Sequence, residues 1–375
     1  MPDSDPLNTL SAPAGARKHI AIIGSAGIPN RYGGPEAFAE SIAPVLVEKG
    51  FEVTVTCDKS KYPDRTDEFR GVRRVYIGVN ANGARSILHD LLAFFAVAGK
   101  ADYILSLGVS GGIFFPLFRL VCALRGSRLL VNIDGVEWRR SKFSALAKFV
   151  LFWSDWLAQR FAHVTIYDNV ALLSYVRHPS KAVCVEYSGD QALAARGPAS
   201  AEPASPFALT VCRIEPENNC DLIIEGFLKS SLPLYVFVGN WDRSEYGREL
   251  RRKYAGESRL KLLDAIYDPA RIFDLRNRCS AYLHGHSVGG TNPSLVEILF
   301  FDCQVFCLDC SFNRATTGTA AHFFSSSADL GKLIDSERGP APERQAVREK
   351  YSTRMIVDKL LSALDWRART LGDPG

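Results

Sequence analysis

The sequence predicts an α/β protein built of two doubly wound halves, and three observations carry that expectation. From Lys18 onward, short β-rich runs alternate with longer helical stretches, the pattern of parallel βαβ units. The alternation stops in a stretch rich in Pro, Ala and Ser, Ser188 to Pro206, and then begins again. The length of 375 residues exceeds one ordinary domain and suits two.

In the first half the candidate strands are His19 to Gly24, Glu52 to Cys57, Tyr103 to Ser106, Arg128 to Ile133, Val164 to Ile166 and Ala182 to Glu186, with helices starting at Pro35, Ser86, Ile113, Phe143 and Asn169. In the second half they are Phe207 to Val211, Tyr235 to Gly239, Leu260 to Leu263, Ala281 to His284 and Gln304 to Leu308, with helices starting at Asn219, Glu245, Pro269 and Pro293. The expected organisation is a flexible tail (1–17), a first Rossmann-like domain (18–187), a linker (188–206), a second Rossmann-like domain (207–341) and a C-terminal helical segment (342–375) placed as crossing back. Ligands of open α/β sheets bind outside the carboxyl ends of the strands, so the active site is expected in the cleft between the halves.

A composition of 47% hydrophobic and 23% charged residues describes a folded globular chain. The net charge of +4 is too small for a nucleic-acid binder but suits an anionic small ligand. Nine cysteines sit mostly in apolar, strand-like runs, as reduced buried thiols do, and no disulfide is expected. Cys303, Cys307 and Cys310 have no fourth Cys or His at a zinc-ligand spacing. Met1 to Arg17 lacks an apolar core and reads as neither signal nor anchor. The longest apolar stretches, Leu88 to Ala98 and Ile113 to Leu124, fall short of the roughly 18 to 20 residues that cross a bilayer. The expected setting is cytoplasmic.

Three clusters carry chemistry. Gly24 to Glu36 is a glycine-rich loop opening a helix, where backbone amides can cradle a phosphate, although it fits neither Gly-x-Gly-x-x-Gly nor a P-loop. A turn that needs glycine only for its backbone angles explains the same residues. Arg213 stands just beyond the first strand of the second half, and its forked donors match the oxygens of a pyrophosphate. His284 to Glu297 again runs strand, glycine loop, helix, with Pro293 marking the helix start. Glu297 lies inside that helix, either to accept ribose hydroxyls or simply to complement the helix dipole.

Together these clusters resemble the retaining glycosyltransferases of family 4, specifically the bacterial rhamnosyltransferase-like subgroup. The resemblance runs over roughly residues 18 to 335 and includes Gly27-Ile28-Pro29 to Tyr32-Gly33-Gly34, Asn132 to Arg140, Tyr167-Asp168-Asn169, Arg213 to Asn219, Gly239-Asn240-Trp241, Gly289 to Ser294 and Phe312-Asn313-Arg314. It implies a GT-B fold, two Rossmann-like domains facing across a cleft, with the donor nucleotide held mainly by the second and the acceptor by the first. Gly33 and Gly34 match the diphosphate-facing loop, Arg213 the pyrophosphate arginine, and Glu297 the last glutamate of a Glu-x7-Glu motif that holds the ribose. Asn240, Gly290, Thr291, Asn292 and Ser294 fall with the donor contacts, and Tyr32, Glu137 and Trp138 with the acceptor or transferred sugar. The implied donor is dTDP-rhamnose or another nucleotide diphosphate sugar, and the implied setting is cell-surface polysaccharide biosynthesis, with no cofactor. Two positions depart from the wider family: Gly289 replaces the first glutamate of that motif, and Asn218 replaces a lysine after the clamp arginine.

Asp134 follows a strand end where wider-family members carry a sugar-contacting His, so it is the first choice for touching the reacting sugar; capping the turn that Gly135 closes is its other reading. Asp168 reads as an N-cap. In a retaining transfer with no enzymic nucleophile, the departing diphosphate takes the acceptor's proton, and the protein stabilises charge on that leaving group. Asp134 and Arg213 are therefore the candidate catalytic residues. No Asp-x-Asp motif occurs beyond Asp3-Ser4-Asp5, and metal-independent catalysis is expected. The segment Trp138 to Phe161 mixes aromatics with Arg139, Arg140, Lys142, Lys148 and Arg160. It reads either as a helix on an anionic membrane surface, where lipid-linked acceptors reside, or as a core helix with a solvated basic face. The rivals to a transferase are a GT-B nucleotide-sugar epimerase and a non-catalytic nucleotide-sugar-binding protein.

Overall fold

The computed structural model describes residues 17–31, 33–133, 135–139, 143–195, 206–336 and 344–365. The chain divides into two compact units. Of the described residues, the first holds those up to Asp168, Leu173–Val185 and those from Val357 onward; the second holds Asn169–Leu172 and those within Glu186–Ile356.

The first unit contains β1 (His19–Ile23), α1 (Gly34–Glu48), β2 (Glu52–Asp58), β3 (Glu68–Phe69), β4 (Val72–Ile77), α2 (Ser86–Val97), β5 (Tyr103–Leu107), α3 (Phe115–Arg125), β6 (Arg128–Asn132), α4 (Ala145–Phe161), β7 (Val164–Tyr167) and β8 (Ala182–Cys184). Its sheet runs β3-β4-β2-β1-β5-β6-β7-β8, parallel throughout except for the β3–β4 pair. The strands between β1 and β7 are Ile-, Val- and Leu-rich because helices cover both faces. The steps from β4 to β5, β6 and β7 all move the same way along the sheet, so right-handed crossovers put α2, α3 and α4 on one face. One core cluster joins them, with Phe94, Phe118 and Ala158 meeting Ile23, Ile104 and Val131.

The second unit contains β9 (Phe207–Val211), α5 (Cys220–Leu228), β10 (Leu234–Gly239), α6 (Glu245–Lys253), β11 (Leu260–Asp264), α7 (Pro269–Arg278), β12 (Ala281–His284), α8 (Pro293–Ile298), β13 (Gln304–Leu308), α9 (Ser311–Thr317), β14 (His322–Phe324), α10 (Ser327–Asp335) and α11 (Arg344–Lys350), and the chain ends its described part in α12 (Thr353–Leu364). The sheet is wholly parallel in the order β11-β10-β9-β12-β13-β14. The chain therefore reverses its direction of travel between β9 and β12, a topological switch point. Helix starts are fixed by capping side chains: Ser244 accepts from the Gly247 amide (3.1 Å), Asp268 from Ala270 (3.0 Å) ahead of Pro269, and Asn292 from Ser294 (3.1 Å) ahead of Pro293.

The fold class is as the sequence predicts: α/β, two Rossmann-like domains. Several elements differ. The β3–β4 hairpin and β14 are additional strands, the segment after Asn169 is a short 3-10 turn (Val170–Tyr175), and the single C-terminal helix is two. From Val357 onward α12 packs with the first unit, where Asp358 pairs with Lys49 (2.8 Å) and the Leu364 carbonyl accepts from Arg128 (2.7 Å).

Candidate functional site

The loops that leave β9 and β12 flank the switch point of the second sheet and are tied to each other. The Asn219 side-chain amide donates to the Gly285 carbonyl (2.8 Å), and both the amide and hydroxyl of Ser287 donate to the Glu217 carbonyl (3.0 and 2.9 Å). The neighbouring β10 loop joins them, since Asn240 Oδ1 accepts from the Ile214 amide (2.8 Å). Asn313 closes the other side, donating to the carbonyls of His286 (2.9 Å) and Leu308 (2.8 Å). Within this frame Arg213 has an exposed side chain on a fixed backbone: its carbonyl accepts from Asn218 Nδ2 (2.7 Å) and the Glu215 amide (3.1 Å). Asn218 is buried, so where the resemblance expects a lysine this chain has a group that positions the arginine's backbone.

His284, the last residue of β12, is fully enclosed, and burial pushes its imidazole down to about 3, so it is neutral. It stacks on His286 with ring centroids 4.3 Å apart, and its Nε2 has no hydrogen-bond partner among the described residues. Gly290 follows Gly289, whose φ of +117° holds the turn in a conformation that side chains resist, with open space where a Cβ would stand. Thr291 is buried against Asn169, and Ser294 donates both its amide and its hydroxyl (2.8 Å) to Asn292 Oδ1.

Glu297 is half-buried in α8 and already engaged: it forms an ion pair with Arg276 of α7 and accepts from Gln191 (3.4 Å). The Arg276 side chain is only 8% exposed, so the carboxylate both neutralises a buried cation and is held by it. Arg276 lies in the last turn of α7, and no local motif marks it as the partner of Glu297.

In the first unit, Gly33 and Gly34 open α1. Gly33 is extended (φ −179°), and a Cβ there would meet nothing closer than 3.6 Å, so its own fold does not require glycine. Gly24 and Gly27 differ: both have positive φ, and a Cβ would stand 2.7 Å from the Leu107 carbonyl oxygen and 2.4 Å from the Cys57 sulfur. The buried Glu36 accepts from the Ala26 amide (2.6 Å), which knits the loop to the start of its own helix. Glu137 and Trp138 lie in a 3-10 turn (Glu137–Arg139), with Trp138 edge-on to Phe152 at 5.4 Å. Trp138 lines a groove of about 610 Å³ together with Phe152, Trp156, Arg160, Tyr175 and Arg177. Beside it, Asp155 is buried against Gln159 (2.8 Å), and that burial pushes its carboxyl pKa up. Asp168 is buried at the end of β7, while the Asx turn that follows uses Asn169, which accepts from Ala171 (2.9 Å). Tyr32 and Asp134 lie outside the described residues. Among the described residues no group of His, Cys, Asp or Glu is arranged to hold a metal ion, and no helix is long and apolar enough to cross a membrane.

Residues 17–189 match the model of a domain of unknown function, DUF1972. No curated protein matches the chain. Solved structures do. Sucrose-phosphate synthase from Thermosynechococcus elongatus superposes with a TM-score of 0.73 at 14% identity, over 92% of this chain and 98% of that one. HepE of Anabaena in complex with UDP gives 0.67 at 13% identity, over 92% and 99%. A Listeria monocytogenes chain assigned as a UDP-N-acetylglucosamine 2-epimerase gives 0.58 at 13% identity, over 93% and 96%. The fold is the GT-B fold these proteins share.

Proposed function

We propose that this chain is a retaining glycosyltransferase that moves a sugar, rhamnose from dTDP-rhamnose, to a saccharide or lipid-linked saccharide acceptor in cell-surface polysaccharide biosynthesis. The observation that carries the reading is the clasp of the β9 and β12 loops at the switch point, with the exposed Arg213 guanidinium on a fixed backbone. This is where an open parallel sheet binds its ligand, and a forked cation there meets a diphosphate. Arg213 stabilises the charge that develops on the departing diphosphate, which itself takes the acceptor's proton. Glu297, oriented by Arg276, accepts the ribose hydroxyls, and Asn240, Gly290, Thr291, Asn292 and Ser294 shape the donor's bed. Asp134 contacts the reacting sugar, while Tyr32, Glu137 and Trp138 face the acceptor. No metal takes part.

The test is incubation with a panel of nucleotide sugars, with and without saccharide acceptors, reading released nucleoside diphosphate and the anomeric configuration of the product. Acceptor-dependent release with retained configuration, unchanged by EDTA, is expected. Product formed without acceptor marks the epimerase reading, which the shared fold of the Listeria chain keeps in view. Tight binding without consumption marks a binding protein, and a loss in EDTA restored by magnesium overturns the metal-free mechanism.

A further inference from the structure

The helical layer on one face of the first sheet carries large apolar side chains outward. Along α4, Leu146, Phe149, Trp153 and Trp156 recur at helical spacing and are 73%, 62%, 43% and 36% exposed, while Ser154, Asp155, Ala158 and Gln159 are buried on the inner side. An ordinary surface helix has the opposite arrangement. In α3, Leu117, Leu120 and Leu124 point outward over the buried Phe115, Phe118 and Cys122; in α2, Leu88, Leu92 and Phe95 do so over Ala93, Phe94 and Val97. α3 packs on α4, and the 3-10 turn Ser110–Phe114 touches all three helices, so the stripes share one surface. Soluble monomers seldom leave so many large apolar groups contiguous in water.

The charges on these helices have one sign on the outside. Arg119, Arg125, Lys148 and Arg160 are exposed or half-exposed, whereas the carboxylates of the three helices, Asp90 and Asp155, are buried. At the end of α4, Lys181 donates to the carbonyls of Arg160 (3.0 Å) and Ala162 (2.8 Å), and burial, with Arg160 and Arg119 nearby, holds its pKa down to about 8. We propose that this surface docks on an anionic lipid bilayer, the Leu, Phe and Trp stripes entering the boundary between headgroups and acyl chains and the cations pairing with headgroup phosphates. A second copy of the chain is a poorer occupant, because a two-fold interface sets this patch against itself and brings cations to cations. A bilayer with negative headgroups satisfies both the apolar area and the charge.

The test is flotation of the full chain with vesicles of phosphatidylcholine alone or with roughly 30% phosphatidylglycerol, without nucleotide or acceptor, so that its outcome is independent of the transferase reading. Binding at least about tenfold stronger to the anionic vesicles is expected, weakened several-fold when salt is raised from about 0.1 to about 0.5 M. The pair Leu146→Glu and Phe149→Glu abolishes flotation, while its melting curve and circular dichroism stay as in wild type because these are the two most exposed side chains of the α4 stripe. No flotation by the wild type, or equal flotation by the variant, overturns the proposal. Wild-type dimers that the variant turns into monomers, without flotation, overturn it in favour of self-association.

Discussion

The two glycine-rich turns, after β1 and after β12, have similar sequences and different electrostatics. The first closes on itself: Glu36 of α1 accepts from Ala26 and Glu40 from Asn30, each at 2.6 Å, so the helix start already faces a carboxylate. The second closes on its neighbours through neutral partners, the carbonyls of Glu217 and Gly285 and the amides of Asn219 and Asn313. A helix start that has taken up its own carboxylate is a poor place for a phosphate, whereas the second turn leaves its charge complement to Arg213. Glycine content alone does not mark an anion site; what closes the turn decides.

The largest effect that would break this contrast is structural. In Gly285→Ala the new Cβ would stand 2.3 Å from the Asn218 carbonyl oxygen, which drives the two loops apart. A loss of about 1 to 3 kcal/mol is expected, read as a melting temperature lower by at least about 2 °C; an unchanged melt would show that the clasp is loose. Next comes Glu297→Gln, which removes a charged acceptor and leaves the buried Arg276 without its counter-ion. Nucleoside diphosphate affinity should fall about tenfold or more, with a lower melting temperature as well. A lower melting temperature with unaltered affinity, measured by calorimetry, would make the pair purely structural.

The third effect is a pH dependence. His284 titrates at about 3 in the fold against 6.5 unfolded, so the unfolded chain binds the extra proton below pH 6.5. This contribution to stability is full above 6.5 and declines as the pH falls toward 3, by about 1 kcal/mol between pH 6.5 and 5.5. Urea unfolding at both pH values checks it, and His284→Asn should flatten the difference; an identical slope in the variant would assign the dependence elsewhere. The smallest effect is Glu36→Gln, which keeps an acceptor for Ala26 but removes the charge. It should cost about 0.3 to 1 kcal/mol of stability and leave nucleotide affinity within about twofold. A tenfold change in affinity would return the first turn to the phosphate.

Most strands and helix starts were legible because apolar runs and caps are local signals. Phe207–Val211, Ala281–His284 and Gln304–Leu308 match the expectation to the residue, and Pro269 and Pro293 mark their helices. The β3–β4 hairpin was not, because Val72-Arg73-Arg74-Val75 sets a cation where a core residue belongs. Arg74 is nonetheless buried, stacked on Tyr62 (4.8 Å) and Tyr76 (5.1 Å) and donating to Thr66 (2.6 Å). In the site, Arg213 and the turn before Pro293 could be read from strand–loop–helix order. Arg276 and Gln191, which flank Glu297, could not, since 21 and 106 residues separate them from it and only the fold brings them together. Asn218 read as a lost contact and is instead the hydrogen-bond donor that fixes the Arg213 carbonyl.

The measurement that bears most directly on the account is calorimetric titration of dTDP and UDP into the wild type and Arg213→Ala, with circular dichroism of both. The exposed guanidinium is not part of the core, so the variant should fold as the wild type does. A charge-assisted phosphate contact contributes about 1.5 to 3 kcal/mol, so affinity should fall at least about tenfold, and turnover with it. A correctly folded variant that binds nucleoside diphosphate as tightly as the wild type would contradict a diphosphate site at the switch point of the second sheet.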